Sequence, residues 1–302
     1  MNYGVIDLGS NTVRLSVYRY ENQRVERIFT RKDVVGLATY VDNGILSKEG
    51  IDTAVSVLKS FKELASLVNV PNVYVFATAS LRNINNGKEA ADLIEKNTGL
   101  IVDILSGDDE ATLGFKGISH IMNIDNALMI DIGGSSTELV LVEKGVPVNF
   151  TSMPIGCLNT YLKYVSEMMP TGEEIRDIKS LVKTHLEKID WKIKGNPKTI
   201  EMIGVGGTCR ASQKLANRLF KLGKREFVEY EHLRQIGLKI KNNAIKKNGI
   251  YHEIYKTVPD RILTMPSGMT ILRSAMKKFD IDRITVSEYG VREGYFIDRV
   301  IK

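Results

Sequence analysis

The sequence predicts an α/β protein made of two copies of one domain. Two observations carry that prediction. Short apolar strands alternate with amphipathic helices, and the acidic hairpin that opens the chain returns 124 residues later. With 302 residues, 43% hydrophobic and 26% charged, the composition is that of a folded globular protein. The length suits two domains of about 150 residues, each able to build its own core.

Taken in order, Tyr3–Asp7 reads as a strand, then a Gly-Ser-Asn-Thr turn, then an alternating strand at Val13–Val17 and a third at Val25–Thr30. Ile51, Ala54, Val55, Leu58, Phe61, Ala65 and Val68 recur at helical spacing, and Pro71 ends that helix. A buried strand at Val73–Ala77, a helix at 87–97, a strand at 100–105 and a helix opening near Asp109 follow. Ser106 with Asp109 forms the capping pattern of that last helix. The pattern then restarts with strand Ala127–Asp131, turn Ile132–Thr137 and strand Glu138–Val142. Aligning Asp7 with Asp131 also aligns Gly9 with Gly133, Thr12 with Ser136 and Leu15 with Leu139. Thr171 with Glu174 caps a helix running through Lys188. A strand at Thr199–Val205 leads into Gly206-Gly207-Thr208. Helices fill most of 209–276 with a loop near 259–267, and strand Ile284–Ser287 and a helix from Arg292 complete the pattern. No Pro/Gly/Ser-rich linker separates the halves, so a tight crossover is expected near 120–126.

Several classes are excluded. No run of 18 apolar residues occurs, so no helix is expected to span a membrane. Met1–Ser10 carries Asp7 and no basic segment, so a signal peptide is not expected. Cys157 and Cys209 alone make neither a disulfide framework nor a zinc site. A cytoplasmic location is expected. The net charge of +6 is unevenly spread, with a balance of −2 over residues 1–119 and +8 over the rest. Such a surplus suits a polyanionic partner or a solvated basic surface equally. The basic stretch at 238–248 has no interleaved aromatics and no nucleic-acid module beside it, so nucleic acid is not expected as a partner.

The chemistry gathers at the turns. Each hairpin turn places an Asp at a strand end beside small residues whose backbone N–H groups can approach an oxyanion, with Gly permitting unusual dihedrals and hydroxyls adding donors. A phosphate held between two such turns would leave their carboxylates to hold Mg²⁺ bridging its oxygens. Gly206-Gly207-Thr208 opens a helix and makes a third anion site. It is not a dinucleotide fingerprint, because Cys209 stands where the last Gly belongs, and no Walker-type phosphate loop occurs. Glu138 follows Asp131 by seven residues, and the strand register decides which way it faces. On sequence physics alone, Glu110 is a first-turn acid complementing a helix dipole. Arg14, Arg82 and Arg261 could clamp phosphates or form surface ion pairs. His120, His185, His232 and His252 are dispersed without metal spacing.

Six motifs occur in one order: Ile6-Asp7-Leu8-Gly9-Ser10-Asn11-Thr12-x-Arg14, Thr78-Ala79-Ser80-Leu81-Arg82, Ser106-Gly107-x-x-Glu110-Ala111, Asp131-Ile132-Gly133-Gly134-Ser135-Ser136-Thr137-Glu138, Gly206-Gly207-Thr208, and Ser287-x-x-Gly290-x-Arg292-Glu293-Gly294. Together they resemble the exopolyphosphatase / guanosine pentaphosphate phosphohydrolase (Ppx/GppA) phosphatase family, in the short form without the C-terminal His-Asp module of larger members. The resemblance implies a fold of the actin, sugar kinase and heat-shock ATPase superfamily: two ribonuclease-H-like domains around a central cleft. These would be residues 1–122 and 123–291, with the last helix, 292–302, able to rejoin the first.

It further implies Mg²⁺-dependent hydrolysis of the terminal phosphoanhydride of inorganic polyphosphate, guanosine pentaphosphate or both. Glu110 would be the catalytic base, Glu138 would position the water, and Asp131 with Asp7 would hold the metal. Gly9, Ser10, Asn11, Thr12, Gly133, Gly134, Ser135, Ser136, Gly206, Gly207 and Thr208 would cradle phosphates, helped by Arg14, Arg82 and Arg261. Ser135 departs from the family's usual Gly, which would strain the turn if that position has positive φ. The resemblance leaves room for a homodimer. Two rival activities stay open: a nucleotide-dependent kinase or ATPase of the same superfamily, marked by tight ATP binding, and a sensor that binds guanosine tetraphosphate or polyphosphate without turnover. A sensor would need neither Glu110 nor Glu138.

Overall fold

A computed structural model describes residues 1–191, 200–242 and 249–301. Two compact units emerge: Met1–Gly117 together with the segment from Val291 onward, and Ile118–Gly290. Among the described residues no helix is long and apolar enough to cross a membrane.

Unit 1 opens with strands β1 (Asn2–Leu8), β2 (Thr12–Glu21) and β3 (Arg24–Val34). The two-residue strands β4 (Val41–Asp42) and β5 (Ile45–Leu46) and helix α1 (Lys48–Leu67) follow. Next come β6 (Asn72–Ala77), the single turn α2 (Ala79–Arg82), α3 (Gly87–Thr98), β7 (Val102–Ile104) and α4 (Gly107–Ser119). The sheet order is β3-β2-β1-β6-β7, antiparallel among the first three strands and parallel from β1 onward. Residue alternation divides its faces. Ile6, Leu8, Val13, Leu15, Val17, Val75 and Ala77 pack with Leu58, Phe61 and Ile94 of α1 and α3. The opposite face carries Val5, Tyr18 and Phe76, and by the same alternation Asp7 and Arg14. Strand β3 extends past the predicted Val25–Thr30 because β2 pairs with it along its whole length, where Arg31, Lys32 and Asp33 hide the strand from an apolar reading. Strand β7 is shorter than predicted, since Leu100 and Leu105 join cores outside the ladder.

Unit 2 repeats the plan with β8 (Ala127–Ile132), β9 (Thr137–Glu143) and β10 (Val146–Met153). Helices α5 (Cys157–Tyr164) and α6 (Gly172–Glu187), strand β11 (Glu201–Val205) and helix α7 (Gly206–Leu219) follow. Then come β12 (Phe227–Glu229), α8 (Tyr230–Lys241), α9 (Ile250–Thr257), α10 (Met265–Lys278) and β13 (Arg283–Val286). The sheet order β10-β9-β8-β11-β13-β12 is that of unit 1 with β12 added at one edge. Strand β12 and helix α5 were not anticipated. Helix α10 begins inside the predicted loop, because Pro266 occupies its first turn, where no N–H is needed. Leu128, Ile130, Leu139 and Met202 face the core built by α6, α7, α8 and α10, which leaves Asp131 and Glu138 on the other face. Of the predicted strand at 199–205, Thr199 lies outside the described residues. So do residues 243–248, the second half of the basic stretch, whose first residues end α8.

The chain returns to unit 1 as α11 (Val291–Tyr295), continued by a wider π-helical turn at Phe296–Val300. Tyr295 and Phe296 complete the second core with Val5, Tyr18, Phe76 and Leu113, and Phe296 stacks on Tyr18 at 4.7 Å. Glu293 is wholly buried beneath them and accepts hydrogen bonds from the Tyr18 hydroxyl (2.7 Å) and Arg27 Nη1 (3.2 Å). Burial, reinforced by the Glu293 charge, holds the Tyr18 hydroxyl pKa well above its usual range. Arg299 bonds Asp109 at 2.8 Å and Lys116 pairs with Asp298, so α11 and its extension grip the helix that carries Glu110.

Candidate active site

Both hairpin turns have the same internal geometry. Gly9 N donates to Thr12 O at 3.2 Å, and Gly133 N donates to Ser136 O at 2.9 Å, at aligned positions. A Cβ at Gly9 would lie 2.8 Å from Thr12 O, and one at Gly133 would lie 3.3 Å from Ser136 O. Close approach, then, is what asks for glycine. Neither residue has positive φ, which corrects the expectation of unusual dihedrals. Ser135 also lies outside the positive-φ region, so Ser in place of Gly strains nothing.

The direction of the turn amides follows from their carbonyls, because N–H and C=O point opposite ways in a trans peptide. In unit 2 the carbonyls of Gly133 and Gly134 accept from Cys157, Leu158 and Asn159 N–H at the start of α5, and Ser135 O accepts from Asn159 Nδ2. The N–H groups of Gly134, Ser135 and Ser136 therefore point together, away from α5. In unit 1 Ser10 O and Asn11 O accept from the N–H groups of Val35, Gly36 and Ala38, which turns the amides of Asn11 and Thr12 the opposite way. Each unit thus presents a short run of co-directed amides, the arrangement that receives an oxyanion.

The register settles which way the charged residues face. Asp7 pairs across β1 and β2 with Arg14, and Asp131 pairs across β8 and β9 with Glu138. Directly paired residues share a face. Arg14 and Glu138 hold the same position in the two copies, so one copy sets a cation beside its Asp and the other a carboxylate. Glu138 is buried and its Oε1 accepts from Ser152 Oγ at 2.7 Å.

In unit 2 the structure brings Asp131 against the third turn. Gly206 has φ 79°, and a Cβ there would overlap Asp131 Oδ1; a Cβ at Gly207 would overlap the Arg261 guanidinium. Thr208 Oγ1 donates to Ile132 O at 3.0 Å and accepts from Arg261 Nη1 at 3.5 Å. Asp131, the 133–136 turn, Gly206, Gly207, Thr208 and Arg261 are thereby assembled. Cys209, buried behind them, has its thiol pushed up by burial and then by the Asp131 charge, so it acts as a small apolar residue rather than a nucleophile.

In unit 1 the Ser80 hydroxyl donates to Leu8 O and ties α2 to the residue before the 9–12 turn. Arg82, at the end of α2, bonds Glu110 Oε2 at 2.8 Å and Leu105 O at 3.0 Å. The Ser106–Asp109 capping box is formed in both directions and places Glu110 in the first turn of α4. Sequence reasoning missed Asn159, Ser152 and Ser80. The pattern Gly156-x-x-Asn159 was a readable helix-start signal, since Asn159 Oδ1 accepts from Gly156 N; Ser152 gives none. Among the described residues no three His, Cys, Asp or Glu side chains group as a preformed metal site.

Fold and turns define an α/β protein of two ribonuclease-H-like units, each with a turn of co-directed backbone amides beside a strand-end Asp. The chain belongs to the Ppx/GppA phosphatase family, whose model matches residues 16–302. Solved structures of the same fold include the Aquifex aeolicus Ppx/GppA family member, 23% identical, TM-score 0.77, covering 100% of this chain and 98% of that one. An exopolyphosphatase from Cytophaga hutchinsonii is 20% identical, TM-score 0.82, covering 98% and 97%. An exopolyphosphatase-like protein is 23% identical, TM-score 0.83, covering 99% and 98%.

Proposed function

We propose that the protein hydrolyses the terminal phosphoanhydride of inorganic polyphosphate, of guanosine pentaphosphate, or of both, and releases orthophosphate. Membership of a phosphatase family supports the reaction class. The observation that carries the reading is the run of Gly134, Ser135 and Ser136 amides aimed away from α5. It suits a phosphate whose charge grows in the transition state. In the proposed step Glu110 accepts a proton from water, the water oxygen bonds the terminal phosphorus, and the bridging P–O bond breaks. Its electron pair stays on the shortened chain, as expected for in-line transfer. Glu138 would orient the water, with Ser152 fixing one of its oxygens. Arg14 and Arg261 would neutralise phosphate charge.

The residues fit Mg²⁺. Asp131 supplies a hard oxygen donor set against Gly206, where any Cβ would intrude on it, and Mg²⁺ is commonly held by one or two carboxylates plus substrate phosphates. Asp131 would hold it, with Asp7 as its counterpart in unit 1, and the ion would neutralise phosphate oxygens. Asp131→Asn removes the charge while keeping the shape. Its expected result is a strongly weakened activation by Mg²⁺ in a titration of rate against metal; an unchanged titration curve would move the metal to other ligands.

The decisive comparison is phosphate release from long polyphosphate, short polyphosphate and guanosine pentaphosphate side by side; no release from any of them, with binding intact, would favour a sensor. Charge adds a second expectation. Residues 120–302 carry a balance of +8, and long polyphosphate makes more ionic contacts than a nucleotide. Its log kcat/KM should therefore fall more steeply with log salt, by analogy with nucleic acids. Equal slopes for the two substrates would remove the guiding role of the basic surface.

A further inference from the structure

We propose that Arg82 works on the reaction through Glu110, as the residue that positions the base, rather than by binding phosphate. This rests on the reading of Glu110 as the base. The Arg82 guanidinium engages Glu110 Oε2 at 2.8 Å and Leu105 O at 3.0 Å, both through Nη1. A terminal guanidinium nitrogen carries two hydrogens, so Nη1 is fully engaged by these two acceptors. The pair is sheltered, with side chains 17% and 9% exposed, where such a bond is stronger than at a wet surface.

The anchoring of both partners supports a positioning role. Arg82 ends α2, a single turn whose Ser80 hydroxyl is bonded to Leu8 O, next to the 9–12 turn. Leu105, whose carbonyl takes the second Arg82 bond, donates its own N–H to Ala77 O at 2.9 Å. Glu110 N donates to Ser106 O at 3.0 Å inside the capped first turn of α4. Residues 77–82 and 105–110 thus form a closed hydrogen-bonded frame, and the Arg82–Glu110 bond is its link to the carboxylate. The neighbouring acid cannot substitute, because Asp109 is bonded to Ser106 and Arg299. A carboxylate held in this way presents to water in a fixed orientation, and displacement of a reacting group by about 1 Å costs on the order of 10²-fold in rate.

A double-mutant cycle tests the proposal. Kinetics on short polyphosphate are measured for Arg82→Ala, Arg82→Lys, Glu110→Gln and Arg82→Ala/Glu110→Gln. Dissociation constants for the same polyphosphate are measured for the two variants carrying Glu110→Gln. Arg82→Ala is expected to lower kcat about 10–100-fold with KM changed less than about threefold, and Arg82→Lys to restore part of the loss. The double variant is expected to turn over no more slowly than Glu110→Gln alone, because residues acting as one unit are not additive. Its dissociation constant should match that of Glu110→Gln. If Arg82→Ala weakens binding tenfold or more in the Glu110→Gln background, or the two losses multiply, Arg82 is a phosphate ligand and the proposal is overturned. If Glu110→Gln alone keeps its turnover, the base assignment itself fails, and Arg82 has no base to position. Should Arg82→Ala not fold, the same cycle run with Arg82→Lys distinguishes these results.

Discussion

Glu110→Gln is expected to lower kcat by about 10²–10⁴-fold, the usual contribution of a general base, while substrate binding stays nearly intact. Gln keeps the length and one carbonyl oxygen for Arg82 but cannot accept the proton from water. The carboxylate is buried in the first turn of α4, where Ser106 and Asp109 fix the helix start and Arg82 grips Oε2. Little rearrangement should therefore accompany the change, and the loss should fall on turnover. Steady-state kinetics with a competition-binding measurement separates the two quantities. Turnover within a few-fold of the native enzyme would place the base elsewhere.

Gly294→Ala is expected to have the largest effect on stability. A Cβ at Gly294 would overlap the Leu113 carbonyl oxygen, with Leu113 C at 2.6 Å and Cα at 3.0 Å. These are backbone atoms of α4 and cannot swing aside, so α11 would have to lift away. Tyr295 and Phe296 would then lose their packing against Val5, Tyr18 and Phe76. Overpacking of this kind costs about 1–3 kcal/mol and sometimes more, which lowers the melting temperature by roughly 2–4 °C per kcal/mol at this size. Turnover should drop as well, since Leu113 lies one helical turn from Glu110. The adjacent Gly114 is the control: a Cβ there meets only Val291 Cγ2 at 3.7 Å. Gly114→Ala in the helix interior should be neutral or stabilise by about 0.5–1 kcal/mol. Equal melting of the two variants would contradict the packing described here.

Local signals were legible wherever a short stretch determines its own structure. The hairpin repeat, the α1 stripe from Ile51 to Ala65 and the capping pairs Ser106–Asp109 and Thr171–Glu174 all depend on neighbours within a few residues. What stayed hidden depends on partners far along the chain. Glu138 could not be oriented until pairing with Asp131 fixed the register. The Arg82–Glu110 bond joins residues on separate helices, and no spacing rule reports it. Ser135 shows the reverse failure: a composition rule warned of strain, but the backbone at that position is one any residue adopts.

Because α11 belongs to unit 1 but is encoded after all of unit 2, the ribosome makes the two parts of unit 1 at well-separated times. The intervening residues, 118–290, take on the order of ten to thirty seconds to synthesise at about 5–20 residues per second. Throughout that interval the face of the first sheet bearing Val5, Tyr18 and Phe76 has no Tyr295 or Phe296 to cover it, and Asp109 and Lys116 have no Arg299 or Asp298. Unit 2 carries its own core within one continuous stretch and can fold as it emerges. In the nascent chain the helix of Glu110 is therefore made long before its clamp, and it reaches its packed position only after α11 and its extension have been added.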